Sequence, residues 1–99
     1  MAFDKGYFDS LDQTLVAYEK KAKPKRGITV TVHIFTGERY RIALVFEKTD
    51  SVISFLIYEK ETKAGDVLPL VAVPYSAIVS VRVEPSAKKL AFGFERKGQ

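Results

Sequence analysis

The spacing of the apolar residues changes at Gly27, and this change constrains the fold more than any other feature. Before it, Leu11, Leu15 and Tyr18 recur at intervals of four and three residues, which places them on one face of a helix. After it, β-branched and other apolar side chains alternate with polar ones, as in half-buried strands. The sequence therefore predicts a mainly β fold with a helix at its N-terminal end.

The predicted helix spans about residues 9–22. Ser10 followed by Gln13 has the form of a capping box, and Phe8 stands where a hydrophobic staple would pack on the first turn. Pro24 is incompatible with a continuing helix, so we expect the helix to end just before it. A basic linker at about residues 23–27 then leads to the first strand.

Five strands are predicted between Ile28 and about residue 84. The first two, about 28–35 and 39–48, form a hairpin in which Gly37 supplies a positive φ at the turn. In the second strand Tyr40, Ile42, Leu44 and Phe46 are predicted to share one face. The predicted core contains Val30, Val32, Ile34, Tyr40, Ile42, Leu44, Val79 and Val81, with Leu11 and Leu15 packed over one end of it.

The residues of the last three predicted strands indicate different positions in the sheet. Residues 52–58 are apolar on both faces, so this strand is expected to be central. Residues 67–75 contain two prolines without amide donors, which favours an edge or bent strand. The fifth strand covers residues 78–83, and a C-terminal extension at 85–99 carries the alternating residues Leu90, Phe92 and Phe94.

Length and composition limit the class of protein. A chain of 99 residues is long enough for one core, so residues 1–99 are expected to form a single domain. There is no cysteine, which excludes disulfides and thiolate metal sites. No apolar run approaches the roughly 20 residues that span a bilayer, and residues 1–7 lack a signal sequence, so we expect a cytoplasmic protein without membrane contact. The lack of asparagine is also found in thermophile proteins.

Three segments resemble motifs of the Sm-like family, which includes the Hfq and LSm groups. They are VHIFTGERYRIAL at 32–44, FEKTDSV at 46–52 and VPYSAIVSVRV at 73–83. The resemblance implies a five-stranded, strongly bent antiparallel small barrel of the Sm-like or SH3-like kind at about 28–84. It also implies a homo-oligomer, in the family a ring closed by pairing of the last two strands, that binds single-stranded RNA.

The chain departs from the family pattern where the family binds RNA. Ser51 stands at the position of the base-pocket asparagine, and Tyr75 lies in the turn that carries a basic residue in the family. Two hypotheses therefore stay open: an oligomeric protein that binds RNA through phosphate contacts and base stacking, or a structural or protein interaction module on the same barrel.

The candidate RNA-binding residues follow from charge and aromatic placement. The net charge is +4, which favours anionic partners. Clustered cations bind phosphates, and outward-facing aromatic rings stack on bases. The basic residues are expected on one rim of the barrel, with two aromatic rings and the pocket position nearby. The predicted set is Lys23, Lys25, Arg26, Arg39, Arg41, Phe35, Ser51 and Tyr75.

Catalysis is not expected. His33 is the only histidine and is predicted to lie on the strand face opposite the core, where a lone histidine is seldom a ligand or a base. The glycines form no phosphate-binding loop, and no serine lies in a nucleophile motif. No cofactor, metal site or catalytic residue is therefore predicted.

Overall fold

The computed structural model of the protein describes residues 3–59 and 62–86. Two helices, α1 (Lys5–Asp9) and α2 (Leu11–Ala22), precede a sheet whose strands are all antiparallel to their neighbours in the order β4-β3-β2-β1-β5. The prediction of a mainly β fold behind an N-terminal helical segment is confirmed. The strands are β1 (Ile28–Ile34), β2 (Arg39–Lys48), β3 (Val52–Tyr58), β4 (Leu70–Pro74) and β5 (Ile78–Pro85), with a 3-10 turn at Tyr75–Ala77.

The helical segment begins earlier than predicted and is divided at Ser10. Asp4 caps α1, because its carboxylate accepts a hydrogen bond from the backbone N–H of Tyr7 at 2.9 Å. The Ser10 hydroxyl instead donates to the carbonyls of Gly6 and Tyr7, at 3.3 and 3.1 Å. The predicted capping box at Ser10 is therefore wrong, since the preceding turn of α1 presents nearer acceptors to this hydroxyl. The predicted end of the helix is confirmed at Ala22.

The core lies between the two helices and one face of the sheet. Leu11 and Leu15 are buried in it as predicted, and Tyr40 and Val81 pack against it. Each fully buried aliphatic or aromatic side chain contributes about 1.5–3 kcal/mol of transfer free energy. The largest fully buried side chains are Phe55, Leu11, Leu15, Ile28, Ile42, Ile53, Val30 and Val32.

A bulge in β2 changes which of its side chains face the core. The ladder pairs Ile42 with Ile57 but Leu44 with Leu56, so Ala43 is an extra residue in β2. Ala43 is buried, and Leu44 is turned to the opposite face, where it is 38% exposed. The prediction that Leu44 faces the core is wrong, because an inserted residue interrupts the alternation of faces.

Two further register shifts have the same effect. One lies between Val45 and Glu47 of β2 and leaves Phe46 exposed. The other lies at the end of β1 and leaves Val79 of β5 exposed. The predicted core position of Val79 and the predicted placement of Phe46 on the same face as Tyr40 and Ile42 are therefore also wrong, for the same reason.

The sheet is strongly curved because its two edge strands follow one another in the chain. Five strands spaced about 4.8 Å apart would separate the edges of a flat sheet by about 19 Å, whereas a three-residue 3-10 turn advances only about 6 Å. Strand β4 is an edge strand, as its prolines predicted, although it begins at Leu70 rather than at residue 67. No ladder joins β4 to β5 within the described residues, so the sheet is open and closure into a barrel is not confirmed.

Only the first residues of the predicted C-terminal extension lie in the described part of the chain. The extension at 85–99 begins within β5, which runs to Pro85. Its alternating residues Leu90, Phe92 and Phe94 lie outside the described residues.

Candidate binding surfaces

The five basic residues predicted for one rim lie in two separate regions. Lys23, Lys25 and Arg26 are exposed in the linker that enters β1. On β2, Arg39 lies opposite His33, near the far end of β1. Six residues of extended chain separate His33 from Gly27, a distance of about 20 Å. The predicted common rim is therefore wrong, because antiparallel pairing places the start of β2 opposite the end of β1.

The surroundings of Arg41 are mixed in charge. Arg41 lies in the middle of the hairpin, opposite Thr31, and its Nη2 atom donates to the Glu59 carbonyl at 3.5 Å. Its neighbours in the described part of the chain form a groove that contains two guanidinium groups and three carboxylates. This balance differs from the excess of positive charge that binds phosphates. The groove is lined by Thr31, Arg39, Tyr40, Arg41, Ile57, Tyr58, Glu59, Thr62, Asp66, Val67, Pro69 and Glu84.

Of the two aromatic residues predicted as stacking platforms, only Phe35 is accessible. Its side chain is 71% exposed beside the β1–β2 turn, so its predicted outward position is confirmed. Tyr75 is only 4% exposed. Its ring lies 5.9 Å from that of Phe8, and its hydroxyl donates to the Thr49 carbonyl at 2.8 Å. The prediction that Tyr75 faces outward is wrong, because α1 covers this end of the sheet.

Ser51 and Tyr75 are brought together, but by their backbones. The Tyr75 N–H donates to the Ser51 carbonyl at 3.1 Å, while the Ser51 side chain is exposed in the β2–β3 turn. The hydroxyl of Thr49 fixes that turn by accepting from the Val52 N–H at 3.0 Å. These contacts hold the two turns against each other, and burial raises the pKa of the Tyr75 phenol. The arrangement joins two loops and leaves the Tyr75 ring inside the protein.

An ion pair fastens α1 to the same end of the sheet. The Asp9 carboxylate lies 2.7 Å from the ammonium of Lys48, at the end of β2, and 3.1 Å from that of Lys5. Hydrogen bonds from Lys48 and then Lys5 hold the pKa of Asp9 below its ordinary value. The contact thus ties the helical segment to the β2–β3 turn beside Tyr75.

The sheet face opposite the core carries an apolar row that sequence reasoning missed. The ladders place Leu44 of β2, Leu56 of β3 and Leu70 of β4 side by side, and we call these three residues the leucine row. Leu44 and Leu70 are 38% and 53% exposed, Leu56 is half-buried, and Phe46 is exposed nearby. Only the bulge at Ala43 places Leu44 on this face, and no residue in the β2 sequence marks the bulge.

Two other classes of site are absent from the described part of the chain. Residues 3–59 and 62–86 contain no group of three or more histidine, cysteine or acidic side chains that could hold a metal ion. Neither α1 nor α2 has the length and apolar character that a bilayer-spanning helix requires.

Comparison of the chain with known protein families, with curated proteins and with solved structures finds no match.

Proposed function

We propose that this chain is a non-catalytic interaction module that associates with itself, built on a small barrel of the Sm-like or SH3-like kind. The observation that carries the proposal is the leucine row. It forms a continuous apolar strip across β2, β3 and β4 on the face that the protein's own core does not use. Contiguous exposed apolar surface of this kind is typical of sites that bind another protein surface.

The topology supports the small-barrel part of the proposal. The short connection between β4 and β5 curls the sheet until its edges approach each other at one end. Both edge strands also present free backbone groups, since each has only one neighbour in the described sheet. Pairing of these edges between copies would give the ring that the family resemblance implies, and it is the second form that self-association could take.

The test is the sedimentation of the full chain over a wide concentration range. We expect the wild-type protein to form dimers or larger species, and Leu44→Lys to shift it towards the monomer, because a lysine in the leucine row places a charge in the contact. Val16→Lys is the matched control, because Val16 is 44% exposed and lies on α2, which packs on the core side of the sheet and away from the row. A wild-type protein that stays monomeric at millimolar concentration would contradict the proposal.

Binding of RNA is the second candidate, and the exposed cations of the linker favour it. Lys23, Lys25 and Arg26 follow one another closely on the surface. If they contact phosphates, replacing all three by alanine weakens binding to uridine-rich and adenosine-rich oligomers equally. It also lowers the dependence of log affinity on log salt by up to about two units, at roughly 0.7 per contact with a single strand. Unchanged binding by the triple variant would exclude this linker as the site.

A further inference from the structure

We call the sheet face opposite the core the outer face. On β2, this face carries charged residues at equal distances on either side of the leucine row, and their charges are opposite. Arg41, Leu44 and Glu47 all face this side, because their ladder partners on β3 are Tyr58, Leu56 and Ser54. Arg41 and Glu47 each lie three residues from Leu44, but a bulge in each interval makes their β3 partners only two residues from Leu56, about 7 Å along the strand. The apolar row therefore has a cation on one side and an anion at the same distance on the other.

This pattern is complementary to itself. We propose that the outer face binds a second copy of this chain, face to face, about a twofold axis that runs along the leucine row. The inference rests on the proposed self-association and names its contact surface. Rotation about this axis stacks the two leucine rows and reverses the direction of the strands. Arg41 of each copy then lies over Glu47 of the other, so the dimer contains this ion pair twice.

The sizes of the neighbouring side chains fit the same axis. On β3, Tyr58 and Ser54 lie two residues to either side of Leu56, and Ala72 of β4 lies beside Ser54. The rotation places the large Tyr58 ring of one copy over the small Ser54 and Ala72 side chains of the other. Two sheets that pack face to face are about 10 Å apart, and large side chains facing small ones fill such a space.

Charge selects this axis over the alternative. A twofold axis parallel to the strands would stack Leu44 on Leu70 and place Arg41 over the segment before β4. That segment, residues 67–69, is Val-Leu-Pro and contains no carboxylate. The axis along the row instead gives each Arg41 an acidic partner, so complementary charge fixes the orientation of the second copy.

The test uses two charge-reversal variants and their mixture. Arg41→Glu places two glutamates opposite each other at both contacts, and Glu47→Arg does the same with two arginines. We expect each variant alone to have a dimer dissociation constant at least about tenfold above wild type, since opposed like charges are strongly unfavourable at an interface. An equimolar mixture should associate within about threefold of wild type, because a mixed dimer restores both ion pairs.

Rescue by the mixture distinguishes this arrangement from contacts that do not bring Arg41 of one copy to Glu47 of the other. A contact between Arg41 and Glu47 within one chain, or a ring closed through strand edges, predicts no rescue on mixing. Val16→Glu, which adds a charge on α2 at the core side of the sheet, is the control and should associate as wild type does. Wild-type self-association that both reversals leave unchanged would overturn this interface and leave the proposed function standing. A monomeric wild type would overturn both.

Arg41 contacts the Glu59 carbonyl of its own chain, so Arg41→Glu removes a contact within the fold. A further measurement therefore tests the interface with Glu47→Arg alone. Glu47 is exposed, so Glu47→Arg should keep the wild-type thermal midpoint at protein concentrations where the wild type is monomeric. Added salt screens charges, so it should weaken wild-type association and strengthen that of Glu47→Arg. The same salt response in both proteins would contradict the interface.

Discussion

Replacing Gly37 by valine tests the geometry of the first hairpin. Gly37 has a φ of +99°, and the turn is closed by its N–H donating to the Ile34 carbonyl at 2.8 Å. No atom lies within 4 Å of the position that a Cβ would occupy, so the change costs backbone free energy and causes no clash. An L-residue in a left-handed conformation costs about 1–2 kcal/mol. Reduced freedom of the unfolded chain offsets about 0.4–1 kcal/mol of that.

We therefore expect Gly37→Ala to lower the free energy of unfolding by about 1 kcal/mol, and Gly37→Val by more, because β-branched side chains tolerate positive φ least. With a slope of about 1 kcal/mol/M in urea, the midpoint falls by about 1 M or more. Gly6→Ala is the matched control. Gly6 lies in α1, and a Cβ added there would lie 3.4 Å from Asp4 Oδ1, an ordinary contact, so alanine should leave the midpoint unchanged or raise it. An unchanged midpoint in Gly37→Val would refute the positive φ of this turn.

Two further predictions concern the end of the sheet that α1 covers. Tyr75→Phe removes the donor to the Thr49 carbonyl and should lower the free energy of unfolding by about 1 kcal/mol, measured by urea denaturation; an unchanged midpoint would contradict a buried hydrogen bond. Hydrogen bonds from Lys48 and then Lys5 lower the pKa of Asp9 in the folded protein. The Asp9 carboxylate therefore stabilises the fold at pH values above the pKa that Asp9 has in the unfolded chain. This contribution is lost as the pH falls through the lower pKa that Asp9 has in the folded protein. As the pH is lowered below about 4, the thermal midpoint of Asp9→Asn should thus fall less steeply than that of wild type. Parallel plots of thermal midpoint against pH would exclude the ion pair of Asp9 with Lys48 and Lys5.

The features that could be predicted from the sequence are those set by neighbouring residues. The positive φ of Gly37 and the bounds of β2 follow from a glycine between two alternating runs. The edge position of β4 follows from Pro69 and Pro74, which cannot donate to a ladder. Local periodicity also placed Leu11 and Leu15 in the core, because a helix packs the face on which its apolar residues recur.

Apart from the capping box at Ser10, where the preceding turn of α1 supplies nearer acceptors, the incorrect predictions depend on residues distant in the chain. The bulge at Ala43 is defined by how β2 pairs with β3, and the alternation of β2 alone contains no trace of it. The separation of Arg39 from Lys25 follows from strand register, which charge clustering in the sequence does not encode. The candidate surface around Leu44 was missed for the same reason, since a single inserted residue decides whether this side chain faces the core or the solvent.

The burial of Tyr75 connects the departure from the family pattern to the proposed function. The resemblance assigns base recognition to the two turns that contain Ser51 and Tyr75. Here the Tyr75 N–H donates a hydrogen bond to the Ser51 carbonyl, and the Tyr75 ring packs on Phe8 of α1. A base could stack on that ring only if Phe8 were displaced, which would expose a side chain that is buried in the core. Burial of a phenylalanine contributes about 1.5–3 kcal/mol, comparable with the roughly 1–3 kcal/mol that stacking one base supplies. Binding at this end would thus gain little, which favours the leucine row on the opposite face of the sheet as the surface that recognises a partner.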